Sequence, residues 1–311
     1  MKLWVIGAGG LLGSALVRNA SKLGWTTFPS GSIPWNDPDK TIDAIISVRN
    51  VFLDGVDPGE PYAIAWAAGR VTTTSSQAEA DLELSVFVRA LEVLVELFSS
   101  HPGGRFLLAS SAGGIYAGSK NPPFSSITTP APIGTYGHLK LGQELVTREL
   151  ATVADSVVIA RIANLYGPGQ DLSKLQGLVS RLALASITRK PVTMFVPLDT
   201  LRDFIHVDDA AWSALHWLTN SPQGMQIKVI ASGQPVTLGY IINQMKDITK
   251  APLPVANGFH PTAAAQALDL RLRPDSDTAS RNHPTVPLPV GMRAVYEDLL
   301  LRHQQGWAKA R

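Results

Sequence analysis

Short apolar runs alternate with segments of helical period through the first half of the 311-residue chain. The runs occupy residues 2–6, 25–28, 62–67, 105–109 and 157–162. Between them, segment 78–99 repeats apolar residues at three- and four-residue spacing, which predicts an amphipathic helix. Because strands that alternate with helices pair in parallel through crossover connections, we predict an α/β fold with a doubly wound parallel sheet.

A glycine-rich turn follows the first predicted strand directly. Its residues Gly7, Gly10 and Gly13 have the spacing G-x-x-G-x-x-G, with Leu11 and Leu12 between them, and a segment of helical period comes next. Glycine lets a backbone turn sharply and approach a pyrophosphate, whose charge the N–H groups of a helix start favour. A turn without a ligand is the simpler alternative, but the strand–loop–helix context favours a dinucleotide site on a Rossmann sheet.

The type of dinucleotide depends on the end of the second predicted strand, where an acid that binds ribose hydroxyls is typical of NAD sites. Segment 28–32 contains neither an acid nor a base, so NAD and NADP both stay open. Ser30 and Ser32 could contact either a hydroxyl or a 2′-phosphate. Asp37 could accept from the adenine amino group or cap the next helix.

Tyr136 and Lys140 are four residues apart in a helix-compatible segment, so one helix face would carry both. A neighbouring ammonium favours the ionised form of a phenol, so Tyr136 could act as a general base or a general acid. Ser110 and Ser111 end the fourth predicted strand, and ligands of doubly wound sheets bind at the carboxyl ends of strands. These serines could cap a turn or bind the same substrate oxygen as Tyr136.

The second half of the chain differs from the first in the length and composition of its segments. After about residue 165, short elements are punctuated by proline and glycine, as in 251–261 and 273–289. We predict an NAD(P)-binding Rossmann domain over 1–165, to which 203–220 returns. A smaller C-terminal substrate-binding lobe would then consist mainly of 166–311.

The amino-acid composition excludes several kinds of binding partner and of catalytic chemistry. The 27 basic and 25 acidic residues leave no large basic face, so we expect no nucleic-acid partner. The absence of cysteine excludes disulfides, thiolate metal sites and a cysteine nucleophile, and we assign no metal ligands. No run reaches about eighteen apolar residues, so we expect no membrane-spanning helix and a cytoplasmic protein.

The motifs, taken in order, resemble those of extended short-chain dehydrogenases/reductases, most closely the NAD-dependent epimerase/dehydratase family. They are the glycine loop, the strand end Ala67-Ala68-Gly69, the serine pair, the Tyr136–Lys140 spacing, and two later segments beginning at Arg161 and Arg202. The resemblance spans about residues 1–220. It implies that Ala67, Ala68 and Gly69 also line the cofactor site.

The resemblance further implies a role for each residue around the tyrosine. Tyr136 would be the catalytic acid and base. Lys140 would bind the nicotinamide ribose and favour the ionised tyrosine, and Ser111 would position the substrate hydroxyl. Ser110 is the alternative for that last role.

The later motifs imply contacts with a nucleotide-diphosphate sugar. Asn164 and Arg202 would bind its diphosphate, and Arg271 or Arg273 would add a second positive charge, because the arginine fork binds phosphate oxygens in pairs. A surface ion pair is the alternative for each arginine. His206 is expected to be structural.

One departure from the family pattern bears on the reaction. Dehydratases of this family commonly carry an Asp-Glu pair after the catalytic hydroxyl, whereas Ala112 and Gly113 follow Ser111 here. The resemblance therefore favours an NAD(P)-dependent nucleotide-sugar epimerase similar to UDP-sugar 4-epimerases. An NADPH-dependent reductase of a nucleotide-4-keto sugar and a non-catalytic NAD(P)-binding sensor are the alternatives. Helix 78–99 and the Tyr136 helix could support a homodimer.

Overall fold

The computed structural model describes residues 1–28, 31–172, 176–258 and 267–306. A six-stranded parallel sheet forms its centre. Its strands are β1 (Lys2–Ile6), β2 (Thr26–Phe28), β3 (Tyr62–Trp66), β4 (Gly104–Ser111), β5 (Ser156–Ile162) and β10 (Gly224–Ile230). They lie in the order β10-β5-β4-β3-β1-β2.

Helices cover both faces of this sheet. They include α1 (Leu11–Lys22), α2 (Pro38–Asp54), α3 (Gln77–Ser100), the short α4 (Ala112–Ile115), α5 (Thr135–Val146) and α7 (Val207–Asn220). A 3-10 helix, Thr147–Thr152, follows α5. Helices α1 and α7 share one apolar core with the sheet, and α2 and α3 share another. The predicted doubly wound α/β fold is therefore confirmed.

The local patterns explain where these elements begin and end. Strands β1, β3 and β5 are apolar along almost their whole length because helices bury both faces of the sheet. Helix α3 begins with a capping box, in which Ser76 and Glu79 satisfy each other's backbone N–H groups. Most of its apolar stripe lies in the core, although Leu82 is 52% exposed.

The sheet takes up more of the chain than segment 1–165. Helix α7 packs along α1, and β10 pairs in parallel with β5 from Gly224 opposite Ser156 to Ile230 opposite Ile162. A boundary at residue 165 would thus place an edge strand of the sheet in the smaller lobe. The sequence of β10 alternates apolar and polar residues from Met225 to Val229, which is typical of a strand, but only its pairing with β5 shows that it belongs to this sheet.

The remaining elements form a smaller lobe. Its strands are β6 (Asn164–Tyr166), β7 (Val192–Met194), β8 (Leu201–Arg202), β9 (Phe204–His206), β11 (Val236–Thr237), β12 (Val255–Asn257) and β13 (Asp269–Leu270). Its helices are α6 (Leu178–Thr188), α8 (Leu238–Thr249), α9 (Thr278–Asn282) and α10 (Leu288–Gln304). Helices α6, α8 and α10 enclose a third apolar core. Within the described ranges, no helix is both long enough and apolar enough to cross a bilayer.

Candidate active site

The glycine loop joins β1 to α1 at the carboxyl edge of the sheet. Gly7 has a φ of +91°, and its carbonyl oxygen accepts from the N–H of Gly10 at 3.0 Å. A Cβ on Gly13 would overlap that same carbonyl oxygen, so glycine is required there. Helix α1 begins with no side-chain cap and no acidic residue in its first turn. Its first N–H groups, including those of Leu11 and Leu12, are therefore without partners inside the helix and suit an anion.

The end of β3 lies directly against this loop. Ala67 donates its N–H to Ile6 at 2.9 Å, and a Cβ on Gly7 would come within 2.6 Å of the backbone nitrogen of Ala68. A Cβ on Gly69 would come within 3.8 Å of the Lys140 ammonium. The segments predicted to bind a dinucleotide thus adjoin each other and the predicted catalytic lysine.

A cavity of about 230 Å³ opens between the loops that follow β2 and β3. Trp35 and Trp66 line it on the apolar side, and Arg70 and Glu83 line it on the polar side. The Glu83 carboxylate accepts the N–H groups of Arg70 at 2.7 Å and Val71 at 2.9 Å, which fixes the loop after β3. The cavity provides a partly open, partly aromatic space beside Ala68 and Gly69, where the end of β3 adjoins the glycine loop.

Ser30 and Asp37 are the residues expected to contact the adenosine part of the dinucleotide. Ser30 lies outside the described residues. Asp37 is the N-cap of α2: its carboxylate accepts from the backbone N–H of Lys40 at 3.2 Å and pairs with the Lys40 ammonium at 3.0 Å. These contacts with Lys40 hold the pKa of Asp37 below its usual range. The capping role considered from the sequence is the one that the geometry shows.

Helix α5 places a phenol beside an ammonium. Tyr136 is half-buried, and the Nζ atom of Lys140 lies 5.9 Å from the centroid of its ring. The Lys140 ammonium is buried and donates to the carbonyl oxygen of Ala109 at 3.3 Å and to Oε1 of Gln143 at 3.0 Å. The ammonium is thereby held against the end of β4.

Ser111 reaches the same place from β4. Its Oγ caps α4 by accepting the N–H of Gly114 at 3.2 Å. Helix α4 then packs closely on α5, because a Cβ on Gly137 would overlap the carbonyl oxygen of Gly114 and a Cβ on Gly114 would lie 3.2 Å from the Tyr136 ring. The structure therefore brings Ser111, Tyr136 and Lys140 together at one edge of the sheet.

Ser110 lies in a buried network beneath this edge. Its hydroxyl donates to Oε1 of Glu144 at 2.6 Å, and Glu144 is ion-paired with Arg161 at 2.7 Å. Arg161 also donates to the Tyr116 hydroxyl at 2.7 Å, and burial raises the pKa of that tyrosine. Because the Ser110 hydroxyl is already bonded inside the core, Ser111 is the serine of the pair that suits a substrate contact.

Two predicted substrate contacts lie beyond the sheet edge. Asn164 is exposed at the start of β6, and its amide donates to the carbonyl oxygen of Asp203 at 2.8 Å. Arg202 on β8 is only 8% exposed, and its guanidinium donates to the carbonyl oxygen of Leu201 at 2.8 Å. Burial lowers the pKa of Arg202 to about 10, and the charge of Asp269 opposes that effect. No carboxylate of the described residues lies within ion-pair distance of Arg202.

Arg271 follows β13, whose residue Leu270 pairs with Arg202. Its guanidinium is ion-paired with Asp269 at 2.9 Å, which raises the pKa of Arg271. Arg273 is exposed, and its backbone N–H donates to the carbonyl oxygen of Phe124 at 2.7 Å. Of the predicted arginines, Arg202 is thus the buried one without a carboxylate partner.

One further prediction concerns His206, and two residues near Lys140 were not predicted from the sequence. His206 caps α7 by accepting the N–H of Asp208 at 3.3 Å, in keeping with a structural role. Sequence reasoning missed Glu144 and Gln143. Glu144 lies four residues beyond Lys140, so helical spacing could have placed it on the same face. Gln143 lies three residues beyond Lys140, so the same helical spacing could have placed it beside the lysine as well.

The chain is similar in sequence and in fold to several known proteins. The model of the NAD dependent epimerase/dehydratase family matches residues 3–230. The dTDP-L-rhamnose 4-epimerase of Burkholderia thailandensis is 30% identical over 133 residues, which cover 42% of this chain and 37% of that protein. The dTDP-4-dehydro-6-deoxyglucose reductase of Escherichia coli is 28% identical over 170 residues, which cover 54% of this chain and 53% of that protein.

The matched regions span about half or less of these curated relatives. A UDP-glucose 4-epimerase of Thermotoga maritima, solved with UDP-glucose, aligns with a TM-score of 0.78 and 21% identity. That alignment covers 98% of this chain and 100% of the other, and it confirms the fold. Since the family model accounts for residues 3–230 of 311, the chain belongs to the NAD dependent epimerase/dehydratase family.

Proposed function

We propose that this chain is an NAD(P)-dependent nucleotide-sugar epimerase that acts at a sugar hydroxyl. One observation carries the proposal. Ser111, Tyr136 and the Lys140 ammonium converge at the carboxyl edge of the sheet, where the glycine loop also ends. In doubly wound sheets this edge is where ligands bind.

The residues at this edge fit a dinucleotide. Gly7 and Gly13 let the loop pack closely against the end of β3 and against its own backbone, and the uncapped start of α1 offers backbone N–H groups to a pyrophosphate. Ala67, Ala68 and Gly69 would flank it, and the cavity beside Trp35 and Arg70 would receive its adenosine end. Bound there, a dinucleotide would accept and return a hydride at the sugar carbon.

Residues of the chain itself would transfer the proton of the sugar hydroxyl. Tyr136 takes the proton of the sugar hydroxyl as a general base and returns it as a general acid. The Lys140 ammonium lies beside the phenol during this exchange, 5.9 Å from the centroid of its ring. The Ser111 hydroxyl donates to the same sugar oxygen and holds it in line with Tyr136.

Arg202 and Asn164 would select the nucleotide part of the substrate. A buried guanidinium without a carboxylate partner is stabilised by an anion, and its planar fork suits two phosphate oxygens. The relatives named above act on dTDP-linked sugars, and the Thermotoga maritima enzyme was solved with a UDP-linked sugar. A nucleoside diphosphate is therefore the proposed recognition group.

A reductase of a 4-keto nucleotide sugar is the second candidate. The loop after β2 carries Gly31 and Ser32 where an NAD site commonly has an acid, so NADPH could also be used. In that reaction Tyr136 acts only as the acid. The dinucleotide released on denaturing freshly purified protein separates the candidates: near-stoichiometric NAD supports the epimerase, and saturable binding of added NADPH to an otherwise empty protein supports the reductase.

The variant Tyr136→Phe tests both candidates. We expect turnover to fall by at least about 100-fold while dinucleotide binding persists, because the general acid and base is lost and the ring is kept. Tyr240→Phe, at an exposed position of α8, is the matched control. Turnover that survives in Tyr136→Phe would exclude the assigned role, whereas a wild-type protein that binds a dinucleotide and turns over no nucleotide sugar would favour the non-catalytic sensor.

A further inference from the structure

The Lys140 ammonium has a defined set of neighbours. An ammonium has three N–H donors. Two oxygens accept from it in the part of the chain that the structure describes, Oε1 of Gln143 at 3.0 Å and the carbonyl oxygen of Ala109 at 3.3 Å. Gly69 lies within reach as well, since a Cβ there would be 3.8 Å from Nζ. One N–H donor is therefore left for a ligand beside the end of β3.

Gln143 is an unusual residue for its position. It is fully buried, and its amide nitrogen has no hydrogen-bond partner among the described residues. A buried amide nitrogen without a partner lowers stability, whereas a methionine of similar length would carry no such penalty. Packing alone therefore does not explain why a glutamine occupies this buried position. Its oxygen has a partner, and that partner is Lys140.

We propose, on the basis of the function proposed above, that Gln143 is a positioning residue for Lys140. A lysine side chain has four flexible carbons and samples many rotamers. The amide oxygen of Gln143, three residues along α5, restricts the ammonium to the place between Ala109 and Gly69. From there its remaining N–H can bind the ribose of a dinucleotide while its charge stays beside Tyr136.

Fixing Lys140 in this way predicts a specific kinetic signature. Alignment at the reacting centre raises kcat, whereas the affinity for the nucleotide sugar depends on distant groups such as Arg202. Loss of the Gln143 oxygen should therefore lower kcat and leave KM for the sugar unchanged. Stability should change little, because removal of the unpaired amide nitrogen offsets the loss of one acceptor of the buried Lys140 ammonium.

Three variants test the proposal. Gln143→Met removes the acceptor at similar volume, Gln143→Glu keeps an oxygen acceptor, and Gln244→Met in α8 is the matched control. We expect Gln143→Met to lower kcat about tenfold, as for loss of a hydrogen bond to a charged group, with little change in unfolding temperature. Gln143→Glu should recover most of that loss. A wild-type kcat in Gln143→Met, or a joint fall of kcat and unfolding temperature, would overturn the proposal.

A second readout does not depend on turnover. The side-chain ammonium signal of Lys140 can be followed by ¹⁵N NMR and identified by its absence in Lys140→Met. We expect slow hydrogen exchange of this signal in the wild-type protein and faster exchange in Gln143→Met. If the wild-type protein turns over no nucleotide sugar, the proposed function fails, and this signal still tests Gln143. An unchanged exchange rate in Gln143→Met would refute the positioning role.

Discussion

At the residue scale, Arg202 is a buried charge that, in the proposed function, binds the anionic part of the substrate. Burial lowers its pKa to about 10, and the guanidinium donates to a backbone carbonyl oxygen rather than to a carboxylate. Removing a buried charge of this kind relieves a desolvation penalty. The side chain is therefore expected to matter for binding and not for folding.

The variant Arg202→Met should separate these two effects. We expect KM for the nucleotide sugar to rise by about tenfold or more, because a hydrogen bond to a charged group is lost. The unfolding temperature should stay the same or rise. Steady-state kinetics and thermal unfolding check both parts, and a wild-type KM would show that Arg202 does not contact the substrate.

Asp209, in the first turn of α7, gives a prediction about pH. It is 7% exposed, accepts the N–H of Val286 at 2.9 Å, and has a pKa raised by burial to about 6. Between pH 3.8 and about 6 the folded chain holds a proton that the unfolded chain releases, so stability falls as pH rises through this window.

The variant Asp209→Asn keeps an oxygen acceptor for Val286 and removes the charge. It should raise the free energy of unfolding by about 3 kcal/mol at pH 8 and have little effect at pH 4. Urea unfolding at both pH values measures the difference, with Asp247→Asn at an exposed position of α8 as the control. An equal effect at both pH values would contradict the assigned pKa.

At the element scale, α5 is held in place by charges as well as by apolar contacts. Glu144 on this helix and Arg161 on β5 are 3% and 2% exposed, and they form a bidentate ion pair. Ser110 and Tyr116 satisfy further atoms of the pair. The network joins α5 to both β4 and β5 directly beneath Tyr136 and Lys140.

The pair should behave as a unit. Glu144→Leu leaves Arg161 buried and unpaired, so we expect a loss of about 3 kcal/mol or more in the free energy of unfolding. The double variant Glu144→Leu/Arg161→Met should be clearly more stable than that single variant. Denaturant unfolding of the single and double variants forms a double-mutant cycle, and additive losses would show that the two side chains are independent.

At the scale of the whole molecule, the dinucleotide-binding sheet depends on a late part of the chain. Helix α7 buries Ala211, Ala214 and Leu218 against the face that α1 shares, and β10 covers the outer edge of β5. The first half of the chain therefore lacks part of the cover for the sheet face on which α1 packs. The chain crosses into the smaller lobe and returns before the fold is complete.

Two fragments test this dependence. A fragment of residues 1–165 should show no cooperative thermal transition, because the apolar surface under α7 is exposed. A fragment of residues 1–232, which contains all six sheet strands and α7, should unfold cooperatively. Circular dichroism and hydrogen exchange measure both, and equal behaviour would mean that α7 and β10 add nothing to the core.

The sequence predicted the parts of the molecule that local patterns encode. The glycine spacing at Gly7, Gly10 and Gly13 and the apolar period of α3 predict their conformations, because backbone sterics and helical repeat act over a few residues. The spacing of Tyr136 and Lys140 likewise puts them on one helix face. These features, with the family resemblance, were enough for the fold class and the outline of the site.

Only the tertiary structure showed which of two similar neighbouring residues lies at the candidate site and which distant segments pair. Ser110 and Ser111 are adjacent hydroxyls, but the packing of α5 on β4 buries the first against Glu144 and leaves the second at the sheet edge. Strand β10 joins the sheet through pairing with β5, more than sixty residues earlier in the chain. Gln143 acquires its partner from the rotamer of Lys140 beneath Ala109. Local spacing fixes which conformation a segment adopts, whereas contacts between distant segments fix which of its side chains meet.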